Sequence, residues 1–453
     1  MTRDDRDHAT GERIRPITRA LAARPGLPTI AYAISASFAV YFCMYAFRKP
    51  FTAATYLDED GNPLCLGSLE LKTIFTLSQI VGYMLSKYIG VKLCPEVRRH
   101  RRALWLVGLV VSAELALLLF ACLPGAELKA LAIFFNGLPL GMVWGVVVRY
   151  LEGRRTSEIL LAGLSCSFIT ASGVVKDVGR WLLRAHEVGD FWMPFVTGMI
   201  FLPPFILFVW LLDQLPDPDG EDEAERVERA PMTIAERVGF VARFLPGLTF
   251  LFVAYFFLTA YRDFRDVYGV EVFQSLGYSE QPALFSRAEL LVAVGVLVPL
   301  ALLVLIKDNR LGLAGASAIM ITGIVLLGVS TLLLDAGIID GFAWMTLIGL
   351  GSYLAYVPYG SVLFDRLIAT TRVVGTAVFA IYLADALGYT GSVGVQIYRD
   401  VWQGDVSRFE FLRGFTYFLS VLGAVLLAAS AVYFWRATRS AASGAPSSDD
   451  PRP

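Results

Sequence analysis

"DQLPDPDGEDEAERVERAPMTIAERVGFVARF", residues 213–244, decides how this chain is read. It opens rich in proline, aspartate and glutamate, a composition that cannot bury an apolar core. From about Thr233 it turns amphipathic and reads as a short surface helix. Long apolar runs flank it on both sides. Six precede it, at 27–49, 67–92, 103–123, 129–151, 158–183 and 190–212. Six follow, at 245–268, 283–306, 311–334, 341–364, 373–398 and 410–436. A hydrocarbon core of roughly 30 Å needs about 20 helical residues, so each run is long enough to span one. The runs are continuous and not alternating, which indicates helices rather than barrel strands. The expectation is an all-α integral membrane protein with twelve transmembrane helices in two six-helix halves. Its parts are an N-terminal tail (1–26), a first half (27–212), a linker loop (213–244), a second half (245–436) and a disordered low-complexity tail (437–453).

Of the 453 residues, 56% are hydrophobic and only 17% charged, and the mean hydropathy is +0.59. The net charge of -1 says little about partners; its distribution says more. Lys and Arg collect in alternate connections, in the N-terminal tail, in "KLCPEVRRHRR", "EGRRTSE", "KDNR", "DRLIATTR" and "RATRS". The intervening "FTAATYLDEDGNPLCLGSLE" and "YGVEVFQSLGYSEQ" carry no cation. The positive-inside rule therefore puts the linker and both termini in the cytoplasm, which agrees with an even number of spans. Arg399 and Arg408 run against the trend. No apolar leader segment precedes the first run. The five cysteines are scattered without metal-ligand spacing and read as small apolar fillers, and the three histidines fall outside the runs. No nucleotide-binding glycine loop or nucleophile triad occurs. The expectation is no enzyme, no cofactor, no metal and no nucleic-acid partner.

Charges inside the runs are the informative residues. "MYAFRKPFTAATYL" (44–57) puts Arg48 and Lys49 at the end of the first run, on the cation-poor side. Lys87 lies late in the second run, Glu114 in the third, Arg149 in the fourth, and Lys176, Asp177 and Arg180 in the fifth. Arg262, Asp263, Arg265 and Asp266 lie in the seventh, and Asp385 in the eleventh. A charge at the bilayer centre costs roughly 2.5–3.5 kcal/mol, so these side chains should face a watery cavity or one another. Asp177 and Arg180, at i,i+3, can pair locally; Lys176 and Arg180, at i,i+4, share a face. Asp263 and Asp266 can offset Arg262 and Arg265. Arg48, Lys49 and Lys87 have no acid within a turn or two on their own helices, and unpaired cations on a cavity attract an anion. Arginine suits phosphate because its planar fork donates two parallel hydrogen bonds. Tyr41, Tyr45, Tyr83, Tyr261, Tyr356, Tyr359 and Tyr382 can supply hydroxyls; Tyr45 and Tyr261, each within a turn of an arginine, are the favoured pair. Asp385, Glu114 and Asp177 are the carboxylates open to a coupling or structural role.

These stretches resemble the organophosphate:phosphate antiporters of the major facilitator superfamily, the glycerol-3-phosphate and hexose-6-phosphate transporters. "YFCMYAFRKPFTAATYL" is similar to their first helix, "LSQIVGYMLSKYIGVKL" to the second and "NGLPLGMVWGVVVRYLEGRRTSE" to the fourth. "FFLTAYRDF" is similar to the seventh, and "SYLAYVPYGSVLFD" and "VVGTAVFAIYLADALGYTG" to the tenth and eleventh. The resemblance implies that Arg48 and Arg262 clamp a phosphate, one from each half, with Lys49 and Lys87 assisting. It departs in two places. The family's histidine on the fifth helix is missing, with Phe168 about where it belongs, and Lys176 or Arg180 stand as replacement cations. The acidic member of the superfamily's loop signature is also missing from "GVKLCPEVRRHRR". The expected function is secondary transport of a small anion, an organophosphate exchanged for inorganic phosphate by alternating access, by a monomer in a plasma membrane of the bacterial inner-membrane type. A transport-inactive sensor of the same fold, or a carrier of a carboxylate or sugar, remains the alternative.

Overall fold

The structure is a computed structural model that describes residues 16–24, 26–151, 154, 156–217, 234–278, 281, 283–371 and 377–443. Among these, twelve helices of 20 residues or more follow the twelve apolar runs. They are α1 (Leu27–Arg48), α2 (Leu71–Glu96), α3 (Arg102–Cys122), α4 (Ala126–Val148), α5 (Ser157–Ala185), α6 (Met193–Leu212), α7 (Leu245–Val267), α8 (Leu284–Val304), α9 (Asn309–Asp335), α10 (Gly341–Ser361), α11 (Ala377–Trp402) and α12 (Arg408–Ser443). Nine of them are long and apolar enough to cross a membrane. α10, which carries Pro358 inside its last turn and ends at Ser361, reaches that length and apolarity only together with the short helix Leu363–Thr371, from which it is bent by 47°. The remaining two are α2 and α11.

Several local departures have plain causes. A two-stranded hairpin, Cys65–Leu66 with Leu69–Glu70, lies before α2, so that helix starts at Leu71 and not at 67. α12 runs on to Ser443, so 437–443 continue the helix instead of opening the disordered tail; 444–453 lie outside the described residues. The amphipathic end of the linker is a helix, Ile234–Arg243, while 218–233 lie outside the described residues.

Buried apolar side chains form two large clusters, one drawn from residues 33–215 with Tyr389 added, the other from 240–434. Within the first, α2 packs along α4 through glycines. A Cβ on Gly137 would stand 2.4 Å from the Gln79 carbonyl oxygen, and one on Gly82 2.2 Å from that of Phe134. Close backbone approach of this kind is how helices associate where water supplies no driving force. It also positions the site, because Gln79 and Asn136 sit on these two helices. The groups of helices meet where α5 packs on α8 and α10, and α2 on α11.

Gly137→Ala should therefore lower the thermal unfolding temperature of the detergent-purified protein, at an overpacking cost of about 1–3 kcal/mol. Gly108→Ala, with nothing within 4 Å of its Cβ, should not. Equal behaviour of the two variants would contradict the α2–α4 contact.

Candidate functional site

α1 stops at Arg48 because Pro50 follows: a proline has no N–H to give to the preceding turn, and its ring crowds the carbonyl there. A helix end leaves carbonyls without partners. Here two buried amides take them up. Asn136 Nδ2 donates to the Phe47 carbonyl at 2.9 Å, Gln79 Nε2 to that of Arg48 at 2.8 Å, and Gln79 Nε2 also to Asn136 Oδ1 at 2.7 Å. The backbone that carries Arg48 is thus fixed from α2 and α4.

The Arg48 guanidinium lies over the ring of Tyr83, 4.0 Å from its centroid, and Tyr45 is at 5.7 Å. Arg262, on α7, repeats the arrangement over Tyr356 at 4.1 Å, with Asp263 at 2.8 Å. Both Nε atoms are buried and have no hydrogen-bond partner among the described residues. A desolvated cation–π contact is worth about 2 kcal/mol, but it leaves in-plane N–H donors to be satisfied. Tyr45 lies in the field of both guanidiniums. Close by, Lys87 faces Asp385 at 4.0 Å, and Tyr255 donates its hydroxyl to that carboxylate at 2.7 Å.

Asp266 gathers more partners than any other carboxylate in the group. It takes Lys49 at 2.5 Å and Lys176 at 2.7 Å, and it accepts from the Ser172 hydroxyl. This joins α1 and α5 to α7. Further pairs tie the same end, the one marked by the hairpin. Lys72 meets Glu271 at 2.5 Å, and Thr73 the Tyr268 hydroxyl at 2.6 Å. Glu70 holds Arg399 at 3.0 Å and Arg408 at 2.5 Å, both of which also contact Asp400. The carboxylate of Glu70 is spent on those arginines and makes no side-chain cap on α2. Asp177 instead caps the start of α8, accepting from Ser286 N–H at 2.7 Å.

Arg48, Lys49, Lys87, Lys176 and Arg262 thus come together around the three carboxylates Asp263, Asp266 and Asp385. Five cations against three anions leave two positive charges in excess. Arg265 does not enter this count: it pairs with Glu289 at 2.9 Å and donates to the Met345 carbonyl, so Asp266 is not its partner.

Other expected site residues lie elsewhere. Tyr261 is a core residue, its ring against Phe415 and its hydroxyl at 2.9 Å from Thr416 on α12. It flanks Arg262 in sequence, but the neighbouring position on a helix points about 100° away. Lys49 and Lys176 are committed to Asp266 and are not free cations. Arg180 is buried with its guanidinium over Phe285 on α8. Arg149 belongs to the linker end, where its carbonyl accepts from Arg102 and where Arg99 meets Asp213 and Asp217. Tyr359 donates to the Leu251 carbonyl inside the core, and the side chain of Tyr382 lies outside the described residues. Glu114 is buried where α3 faces Gly198 of α6, away from this group. Phe168 stands among Trp144, Tyr353 and Tyr356 at 6.1–6.4 Å, in an aromatic cluster that bridges α4, α5 and α10.

A family model covers residues 50–437. The chain belongs to DUF5690, a family of unknown function. No curated protein matches it in sequence. A crystal structure of the nucleoside transporter NupG, a point mutant, is similar over 90% of this chain and all of that one, with a TM-score of 0.55 at 11% identity. At that identity the likeness concerns the fold. This DUF5690 protein is a multi-pass, all-α membrane protein with a transporter fold.

Asp266→Asn should destabilise the purified protein strongly, by about 3–5 kcal/mol, because it strands two buried lysines. Replacing all three groups with apolar ones (Lys49→Met, Lys176→Met, Asp266→Leu) should recover most of that loss. Wild-type thermal stability in the single variant would show that the triad carries no load.

Proposed function

We propose that this protein is a secondary transporter of a small organic anion, built on the twelve-span, two-half plan of the major facilitator superfamily. The observation that carries the reading is the pair of buried guanidiniums, Arg48 and Arg262, each over a tyrosine ring, in a group of side chains with two positive charges in excess. Such a group suits a divalent oxyanion. A phosphate ester has that charge and the planar acceptor geometry an arginine fork matches. A phosphate ester is thus the substrate class we favour, and its exchange for inorganic phosphate is what the resemblance to the organophosphate:phosphate antiporters implies.

The linker and both termini lie on the cytoplasmic side, in a plasma membrane of the bacterial inner-membrane type, and the working unit is a monomer. On that orientation the hairpin end is external, and the ion pairs there hold the external side closed. An anion that arrives between Arg48 and Arg262 neutralises the excess charge. It also competes with the Asp266 carboxylate for Lys49 and Lys176, which loosens the tie between α1, α5 and α7 and lets the halves rock. Lys87 and Asp385 contribute one more pair that an anion can divide. The aromatic cluster around Phe168 favours a second reading, a ring-bearing neutral solute such as a sugar, for which the arginines would be structural.

Reconstituted protein preloaded with labelled phosphate should exchange it for phosphate esters. A charged hydrogen bond is worth about 1.5–3 kcal/mol. Arg48→Lys and Arg262→Lys should then lower apparent affinity roughly tenfold to a hundredfold, and Lys49→Arg less. Exchange of neutral sugars that both Arg→Lys variants leave intact would favour the second reading. Near-wild-type phosphate exchange by both variants would contradict the clamp.

A further inference from the structure

A groove of about 480 Å³ opens between α9, the short helix Leu363–Thr371 and the last turns of α12, well apart from the arginine pair. Ala314, Ser317 and Ala318 line it from α9, and Leu367 and Leu427 face them. Small residues on one helix and leucines opposite make a slot of the size in which ligands bury an apolar moiety.

One end of the groove is different. Arg310 and Arg436 both line it there, beside Trp435. The Arg310 guanidinium lies on the Trp435 ring at 4.0 Å and donates one hydrogen bond to the Trp435 carbonyl at 3.1 Å. Its Nε is buried with no partner among the described residues. Trp435 and Arg436 are both exposed, and both line the groove. An exposed tryptophan at a helix end marks the level of the lipid headgroups. The nearest acid in sequence, Asp308, is occupied in capping α9 through the Leu311 N–H at 2.7 Å. Arg366, a third cation at this end, is engaged with Asn309 Oδ1 at 2.9 Å.

We infer that this groove is a binding site for an anionic phospholipid, with an acyl chain along the Ala314–Ala318 floor and the headgroup phosphate between Arg310 and Arg436. The apolar slot accounts for the chain, and the arginine pair at interface depth accounts for the charge. Basic residues at the membrane surface draw anionic lipid in this way, and pockets between helices hold its headgroups. A zwitterionic lipid fits the slot equally well but gains less from the arginines. The occupant thus differs from the transported solute in place and in kind, and the site stands whether or not the transport reading does.

The test is native mass spectrometry of the full-length protein released from a non-ionic detergent. It is titrated with palmitoyl-oleoyl phosphatidylglycerol or with phosphatidylcholine of the same chains. The wild type should retain phosphatidylglycerol in preference, by roughly fivefold for each arginine. The double variant Arg310→Gln, Arg436→Gln should lose the preference, and Arg310→Lys, Arg436→Lys should keep most of it. Ala318→Phe, which fills the slot and leaves the charges, should lower retention of both lipids. Equal retention of the two lipids by the wild type would overturn the site. So would a preference that survives the double Gln variant, glycerol phosphate binding as tightly as the whole lipid, or a dimer that excludes lipid from the groove.

Discussion

One carboxylate orders this structure. Asp266 takes two lysines that arrive from different helices, Lys49 from the end of α1 and Lys176 from α5. Taking three charges out of water costs several kcal/mol for each, repaid only while every partner stays in place. The helices that carry them are therefore not free to separate one at a time. The same rule runs outward through the hairpin end, where Glu70, Glu271, Asp177 and their partners join the first six helices to the last six. Lys87 of α2 and Asp385 of α11 likewise face one another across the molecule.

What this leaves over defines the site. Once Asp266 has taken Lys49 and Lys176, Asp263 has taken Arg262 and Asp385 stands against Lys87, the guanidinium of Arg48 keeps only tyrosine rings among the described residues. Its backbone is held by Gln79 and Asn136, so the side chain is presented and not merely tolerated. A snorkelling arginine would need neither the rings nor the buried amides. The asymmetry between a satisfied lysine triad and an Arg48 held by rings alone is what an anion would exploit, since it can complete the second while it competes for the first.

The helices were legible in the sequence because apolar length is a direct consequence of the bilayer, and each of the twelve runs corresponds to a long helix. Arg48, Arg262, Lys87 and Tyr45 were legible as a group because charge inside an apolar run is costly and so conspicuous. The partners were not. Asp266 lies four residues from Arg262 and looks like its local counter-ion, yet its side chain meets two helices distant in the chain. Tyr261 was misplaced for a related reason: nearness in sequence to an arginine is not nearness in space when adjacent helix positions diverge by about 100°. Glu70 gave no signal at all, because its role depends on a hairpin that no periodicity announces. Local pattern reports cost; only the packing of α1, α5, α7 and α11 reports who meets that cost.

The most direct measurement is the distance between spin labels at Glu59 and Gln274, exposed positions on either side of the hairpin end, by pulsed dipolar spectroscopy in nanodiscs. In the absence of solute the account predicts one short, narrow distribution. Addition of a phosphate ester should bring in a longer-distance population at the expense of the short one, and the same ester should have no effect when Arg48 and Arg262 are both replaced by glutamine. A distribution that stays unchanged with inorganic phosphate and with every phosphate ester tried would contradict the claim that an anion bound between the two arginines releases the Asp266 tie.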